Sequence, residues 1–466
     1  MSLRTFLQPR VTGLMTSPRT REVGRAVVEK LRVLRGQPHR IHYFHQVDDP
    51  YSDLAAQLLE DFLARYDVEL EVHLVGPPSD AAAPERERLV AWSRKDAADI
   101  ATPRRLRFRD SGAQPSAAMV SLATRILAAT ASARAFAALA PRLGDALWSE
   151  DRATMDALAR DFGMVPEAEA RARIARGNAT REKLGHYLGA TFHYGFEWYW
   201  GVDRLGYLER RLIELGAVRA ADGSMVDDDP EGIFDDGLAA AGRKRRRRRA
   251  PLLAPRIEVT GERIDASQSG LTLEFFPSLR SPYSYVAMER TVALAARTGV
   301  ALRWRPVLPM VMRGLPVPLA KRLYITLDTA REAEEVGVPF GRVCDPVGKP
   351  VERAFSLYPF ACSKGRGGEF LLAFCRASFA EGVDTGSDEG LRLVVTAAGL
   401  SWEEATPHLD REGWRPELEA NREDMFAMGL WGVPSYRLRG PAGSPDFYTW
   451  GQDRLWLVER EIRRRA

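Results

Sequence analysis

The strongest constraint on this 466-residue chain is that its two halves follow one plan. In the second half the apolar run Leu271–Phe276 reads as a buried strand, and Ser281-Pro282-Tyr283-Ser284 opens an amphipathic helix just after it. In the first half Arg40-Ile41-His42-Tyr43-Phe44-His45 reads as a strand. Asp49-Pro50-Tyr51-Ser52 follows it, and a helix is predicted from Leu54 to Tyr66. From Pro50 to the strand opening at Val68 is 18 positions, and from Pro282 to Val300 it is 18 again. The alternation of Val68–Leu74 predicts a second strand, so each half begins as a βαβ unit. The tails agree as well. Trp200-Gly201-Val202-Asp203-Arg204-Leu205 with Glu209-Arg210 closes the first half, and Trp450-Gly451-Gln452-Asp453-Arg454-Leu455 with Glu459-Arg460 closes the second. Two anchors in the same order at similar separation predict a tandem duplication.

The length accommodates more than one domain. The pattern places a first α/β domain at residues 1–215, with residues 80–185 mostly helical, and a second at 269–466, joined by a charged linker at 216–268. The linker carries an acidic block (Asp227, Asp228, Asp229, Glu231, Asp235, Asp236) and then seven consecutive basic residues, Arg243–Arg249. That run lacks aromatic interleaving and a recognisable binding fold, so it reads as a solvated linker rather than a nucleic-acid contact. A net charge of +4 makes no case for a nucleic-acid or membrane partner. The Arg-rich start has no apolar core of signal-peptide length, and no run is long enough to span a membrane. Cys344, Cys362 and Cys375 show neither CxxC nor metal spacing. They read as buried small apolar residues and fit a reducing compartment, so the cytoplasm is the expected location.

From Leu271 to about Arg464 the chain resembles the 2-hydroxychromene-2-carboxylate isomerase and kappa-class glutathione transferase branch of the DsbA-like family. The residues that carry the resemblance are Ser281-Pro282-Tyr283-Ser284-Tyr285, Trp304-Arg305-Pro306, and Ala320-Lys321-Arg322 with Tyr324 and Asp328. Gly432-Val433-Pro434-Ser435-Tyr436 and the Trp450–Leu455 motif complete the set. The first half, about residues 40–215, looks like a diverged relative of the same domain. The resemblance implies two tandem thioredoxin-like domains, each a sheet with a helical insertion, and a glutathione site in the second. Redox members of the fold have Cys-Pro-x-Cys where this chain has Ser281-Pro282-Tyr283-Ser284. Hydroxyls neither ionise at ordinary pH nor exchange disulfides, so a disulfide oxidoreductase is not expected.

Serine before proline is a favoured helix cap followed by a favoured first residue, and Ser281 caps a helix on any reading. The resemblance adds a catalytic role, in which its hydroxyl and the helix dipole hold the glutathione sulfur as thiolate. Ser278 and Ser284 stand nearby but do not directly precede the proline. Val433-Pro434 resembles the cis-proline loop of the fold, whose backbone pairs with an extended peptide such as glutathione. Gln452 and Asp453 match the stretch that binds the γ-glutamyl group, and Asp453 also reads as a helix cap. Lys321, Tyr324, Asp328 and Arg331 lie at helical spacing. Such a charged face is solvated in the ordinary case, whereas the resemblance puts Lys321 and Tyr324 against substrate. Trp304 reads as core.

The first half departs from this pattern where chemistry would occur. Asp49 stands at the serine position, and Leu188-Gly189-Ala190-Thr191-Phe192 replaces the Gly-Val-Pro loop. A carboxylate beside a thiolate disfavours it by like-charge repulsion, and a cis bond before Ala190 would cost about 2.5–4 kcal/mol. The half keeps His42, His45, His186, His193, Glu197, Trp198 and Tyr199, but no ligand-spaced pair stands out, so no metal is expected. A domain without catalysis that packs on its partner is the expectation. The chain as a whole is expected to be a glutathione-dependent isomerase acting on an electron-poor double bond of a small electrophile. The alternatives are a kappa-type glutathione transferase and a thioredoxin-fold binding protein without catalysis.

Overall fold

A computed structural model describes residues 3–219, 252–441 and 443–466. The acidic block and the basic run at 243–249 lie outside the described residues. The described residues are mixed α/β with two four-stranded sheets. Its strands are β1 (Arg40–Gln46), β2 (Glu69–Val75), β3 (Thr191–Tyr194), β4 (Glu197–Trp200), β5 (Thr272–Phe276), β6 (Ala301–Trp304), β7 (Ser435–Arg439) and β8 (Phe447–Trp450). One sheet has the order β2-β1-β3-β4 and the other β6-β5-β7-β8. In both, the first pair is parallel and the two that follow are antiparallel. A parallel pair needs a crossover, and the helices after β1 and β5 supply it.

The chain divides into two compact units. One comprises Val27–Pro78 and Ser93–Arg256, the other Met1–Ala26, Ser79–Trp92 and Ile257–Ala466. Residues 1–26 and 79–92, placed by the sequence pattern in the first domain, thus belong with the C-terminal residues. They are held there by apolar and backbone contacts that no local pattern announces. Trp92 is 2% exposed among Phe276, Val307, Met425, Phe426 and Leu430. The Thr12 hydroxyl accepts from the Val343 amide at 2.9 Å.

In the unit that carries the first sheet, the helix predicted over Leu54–Tyr66 is two pieces, Pro50–Ala56 and Leu59–Arg65. The Leu58 amide bonds Ala55 O at 3.1 Å, three residues back, and the Gln57 side chain bonds Arg107 O at 2.7 Å. The chain turns there instead of continuing the helix. Four further helices, Ala117–Leu127, Ala133–Trp148, Arg152–Phe162 and Glu167–Lys183, together with Arg86–Ala101, of which the residues from Ser93 on belong to this unit, fill most of the region expected to be helical. β1 alternates cleanly: Tyr43 and His45 face Phe136, while His42 and Phe44 face His73.

His45 is 5% exposed, its Nδ1 lies 3.1 Å from the Tyr43 hydroxyl, and burial pushes its pKa down to about 3. Between that value and the ordinary 6.5 the unfolded chain binds the extra proton. The His45 contribution to stability is therefore complete above about pH 6.5 and lost as pH falls toward 3, at up to about 1.4 kcal/mol per pH unit. Denaturant unfolding from pH 7 to 4.5 should show this slope, reduced by that amount in His45→Asn. Equal slopes would mean that His45 does not stay neutral when folded.

The C-terminal core is built from Phe275, Tyr285, Phe355, Phe370, Phe374 and Tyr436 with their neighbours, between the sheet and its helices. β5 is buried along nearly its whole length, so Glu274 at its centre needs compensation. Its carboxylate lies 3.1 Å from Arg305 Nη1 and 3.5 Å from Arg437 Nη1, with Arg303 and Arg439 each at 3.7 Å. Cys344 and Cys375 are buried as expected, but Cys362 is exposed, on the last turn of the helix Lys349–Ser363. Among the described residues, no helix is long and apolar enough to cross a membrane.

Candidate functional site

Strand register brings three of the sequence motifs of the second half, those of Ser281, Pro434 and Asp453, to one end of its sheet. Phe276, the last residue of β5, pairs with Ser435, the first of β7, and Ser435 pairs with Trp450, the last of β8. The chain leaves β5 toward Ser281, enters β7 from Pro434, and leaves β8 toward Asp453. Sites up to 172 residues apart, Ser281 and Asp453, therefore share one edge.

Ser281 caps the 17-residue helix Pro282–Thr298, with extended backbone and its Oγ accepting from the Ser284 amide at 3.1 Å. A serine hydroxyl also carries one donor proton, and that of Ser281 has no acceptor among the described residues. No acidic residue stands in the first turn of this helix. The half-buried cap thus offers one hydrogen-bond donor and the positive end of a long helix, which together favour an anion such as a thiolate. Ser284 is fully buried and accepts from the Ser278 amide at 3.2 Å, so it braces the loop from beneath. Nearby, Arg280 holds Asp345 through two contacts of 2.7 and 2.8 Å.

The Val433–Pro434 peptide is cis, and Pro434 O accepts from the Gly451 amide at 2.9 Å. Gly432 is required before it, since a Cβ there would sit 2.2 Å from the Trp450 ring. Gly451, at φ +122°, takes a conformation that L side chains rarely adopt. Asp453 is half-buried, its carboxylate folded back over Gly451 and 3.5 Å from Arg454 Nη1. Gln452 points the other way. It is 2% exposed, accepting from Arg290 at 2.8 Å and donating to Glu332 at 2.5 Å, so its side chain fastens the turn to two helices.

The helix Leu319–Glu335 carries the remaining candidates. Lys321 lies 5.4 Å from the Trp431 ring and donates to Ala82 O at 2.8 Å. It has no carboxylate partner among the described residues, and burial pulls its pKa down to about 8. Tyr324, one turn on, is 8% exposed. Asp328 and Arg331 are not a solvated face: both are buried, and Asp328 accepts from Arg331 at 2.6 Å and from the Tyr283 hydroxyl at 2.7 Å. Trp304 packs edge-on against Phe275, as core. Arg305 is taken up by Glu274, Asn421 and Asp424.

Sequence reasoning missed the segment 79–92. Besides the Ala82 carbonyl on Lys321, it supplies Trp92, in the apolar cluster that Val433, Tyr448 and Trp450 border. Glu85 lies 3.4 Å from Arg313, and the Arg88 guanidinium sits 4.7 Å from the centre of the Phe426 ring. No motif in residues 79–92 signals this role. Trp431, directly before Gly432, was legible by position.

The first half repeats the frame with other groups. Asp49 caps the seven-residue helix Pro50–Ala56, accepting from the Ser52 amide at 3.0 Å and the Ser52 hydroxyl at 2.8 Å. Desolvation pushes its carboxyl up to about 6. The Gln46 amide donates to Ser52 Oγ at 3.1 Å as the Ser278 amide does to Ser284 Oγ at 3.2 Å. Tyr51 donates to Asp96 at 2.8 Å as Tyr283 does to Asp328 at 2.7 Å. The Gly201 amide bonds Ala190 O at 2.7 Å, matching Gly451 and Pro434. Among the described residues only Val433–Pro434 is cis, and Ala190 instead takes a positive φ of +53°.

Residues 272–463 match the family model of the DSBA-like thioredoxin domain. None of the curated proteins matches the chain. Among solved structures it is similar to a 2-hydroxychromene-2-carboxylate isomerase containing selenomethionine, at 20% identity, covering 41% of this chain and 95% of that one with a TM-score of 0.35. It is similar also to the cytosolic disulfide reductase DsbM from Pseudomonas aeruginosa with GSH, at 20% identity over 42% of this chain and 100% of that one, TM-score 0.31. A third is the oxidoreductase DsbA from Xylella fastidiosa, at 13% identity over 44% of this chain and 90% of that one, TM-score 0.27.

Proposed function

We propose that the C-terminal domain is a glutathione-dependent isomerase acting on an electron-poor double bond of a small electrophile, with glutathione transfer to such an electrophile as the allied reaction. The observation that carries this reading is the hydroxyl proton of Ser281, without an acceptor among the described residues, at the N-terminus of a 17-residue helix. That donor and helix end fit a thiolate ligand. When bound, glutathione supplies the thiolate that adds to the double bond, lets it rotate as a single bond, and is eliminated to restore it. Ser281 donates its hydrogen bond to the sulfur and keeps it ionised. The backbone of Val433, turned by the Pro434 loop, pairs with the peptide, and Asp453 takes its α-amino group. Lys321, cationic below about pH 8 and without a carboxylate partner among the described residues, holds an acidic group of the substrate, with Tyr324 beside it. Ser281 and Ser284, in place of two thiols, leave the site without disulfide exchange.

The first half we read as a duplicate of the second that has lost this chemistry. The shared strand order and the matched bonds of Ser52 with Ser284, Tyr51 with Tyr283 and Ala190 with Pro434 support that reading. Asp49 sets a negative charge where Ser281 offers a proton, and its helix is seven residues long rather than 17. Titration calorimetry of the full chain with glutathione should therefore give one site, unchanged in Asp49→Ala and weakened in Asp453→Ala. Two sites, or loss of binding on changing Asp49, would overturn the assignment of the halves. A second reading, a binding protein without catalysis, is favoured by the seating of Ala82 and Trp92 on Lys321 and the Val433 loop. Absence of any glutathione binding would decide for it.

A further inference from the structure

The first sheet gathers side chains that the proposed glutathione chemistry does not use. In the parallel pairing of β1 with β2, His42 stands opposite Glu71 and Phe44 opposite His73. Residues two apart on a strand share a face, so His42, Glu71 and His73 emerge together. His42 Nδ1 lies 3.0 Å from His73 Nε2 and 3.1 Å from Glu71 Oε2, and His73 Nε2 lies 3.8 Å from the same oxygen. Among the described residues this is the group of three His, Cys, Asp or Glu side chains whose ligand atoms converge.

We propose that His42, Glu71 and His73 bind a divalent transition-metal ion of the zinc type. Ligand atoms held tetrahedrally at about 2.0–2.1 Å from a metal lie about 3.3 Å from one another, a spacing that the three distances bracket. Two neutral imidazoles and a carboxylate turn three electron-rich atoms to one point. A proton shared between one pair leaves the third atom facing a lone pair, whereas a cation satisfies all three. The surroundings hold these atoms in place. Arg40 Nε lies 3.0 Å from Glu71 Oε1, leaving Oε2 directed at the imidazoles, as supporting partners of metal-bound carboxylates do. Phe44 stacks on the His73 ring at 4.8 Å. Next on the same face, across the pairing of β1 with β3, stands His193. Its ring lies 6.0 Å from that of His42, it is 6% exposed, and its Nδ1 has no hydrogen-bond partner among the described residues. Three protein ligands leave the fourth position of a zinc-type ion for His193 or water. No spacing in the sequence betrays the site, since its ligands come from two strands some 30 residues apart, a separation no short ligand motif spans.

The test uses the full untagged chain, freed of metal with a chelator and titrated with Zn²⁺ against a chromogenic competitor. One ion should bind per chain. His42→Gln and His73→Gln should each weaken binding by more than about 100-fold and Glu71→Gln by at least about 10-fold, since losing a ligand costs at least as much as losing an outer-shell partner, while His408→Gln changes nothing. The Co²⁺ form of the wild-type chain should show the intense visible bands of a four-coordinate ion, a readout that needs no variant to fold. No binding by the wild-type chain, a Co²⁺ spectrum equal to that of the free aquo ion, or a circular-dichroism-intact His73→Gln variant with unchanged affinity would each overturn the proposal.

Discussion

Ser281→Ala should raise the thiol pKa of bound glutathione by about 1 to 2, because a hydrogen bond to a charged group is worth about 1.5–3 kcal/mol. At neutral pH the thiolate fraction, and with it turnover, would fall about 10- to 100-fold. The ultraviolet absorbance of the bound thiolate against pH measures the first effect and steady-state kinetics the second. The substitution also removes a helix cap, which costs about 0.5–2 kcal/mol of stability on its own. Ser281→Asp separates the two roles. It keeps a capping oxygen, as Asp49 does in the first half, but presents a negative charge to the sulfur. The aspartate variant should therefore fold at least as stably as the alanine one and bind the thiolate worse. An unchanged thiol pKa in Ser281→Ala would leave Ser281 as a cap only.

The largest effect on stability is expected at Glu274→Gln. Glu274 is fully buried, and β5 pairs it directly with Arg303 on one side and Arg437 on the other. With Arg305 and Arg439 they surround one carboxylate with four guanidinium groups. Neutralising it leaves Arg305, whose side chain is 11% exposed, without its innermost counter-charge. Removing one partner of a buried ion pair costs about 3–5 kcal/mol, against a few tenths for an exposed one. Chemical denaturation of the full chain should show that loss. Replacing both partners, Glu274→Leu with Arg305→Met, should recover part of it, since an apolar pair has no charge left to compensate. A Glu274→Gln variant as stable as the wild type would mean that Asn421 and Asp424 alone suffice for Arg305. β5 ends at Phe276, five residues before Ser281, so a loosened β5 would also disturb the site.

Much of this was legible in residue order, for reasons that are local. A strand followed by Ser-Pro or Asp-Pro specifies a capped helix, because the cap bonds only groups two or three positions away. The equal spacings of the two halves announced two sheets that each begin with a parallel pair, and the apolar run of β5 announced a strand buried nearly throughout. Tertiary structure alone decided what depends on distant partners. Gln452 turned inward because Arg290 and Glu332 meet it there, and Asp328 and Arg331 are buried as a pair whose carboxylate also takes the Tyr283 hydroxyl. Lys321 lies near its lowered pKa because the Ala82 segment and Trp431 cover it. His42, Glu71 and His73 meet through strand register, which is settled by pairing across the sheet and leaves no trace in the spacing along the chain.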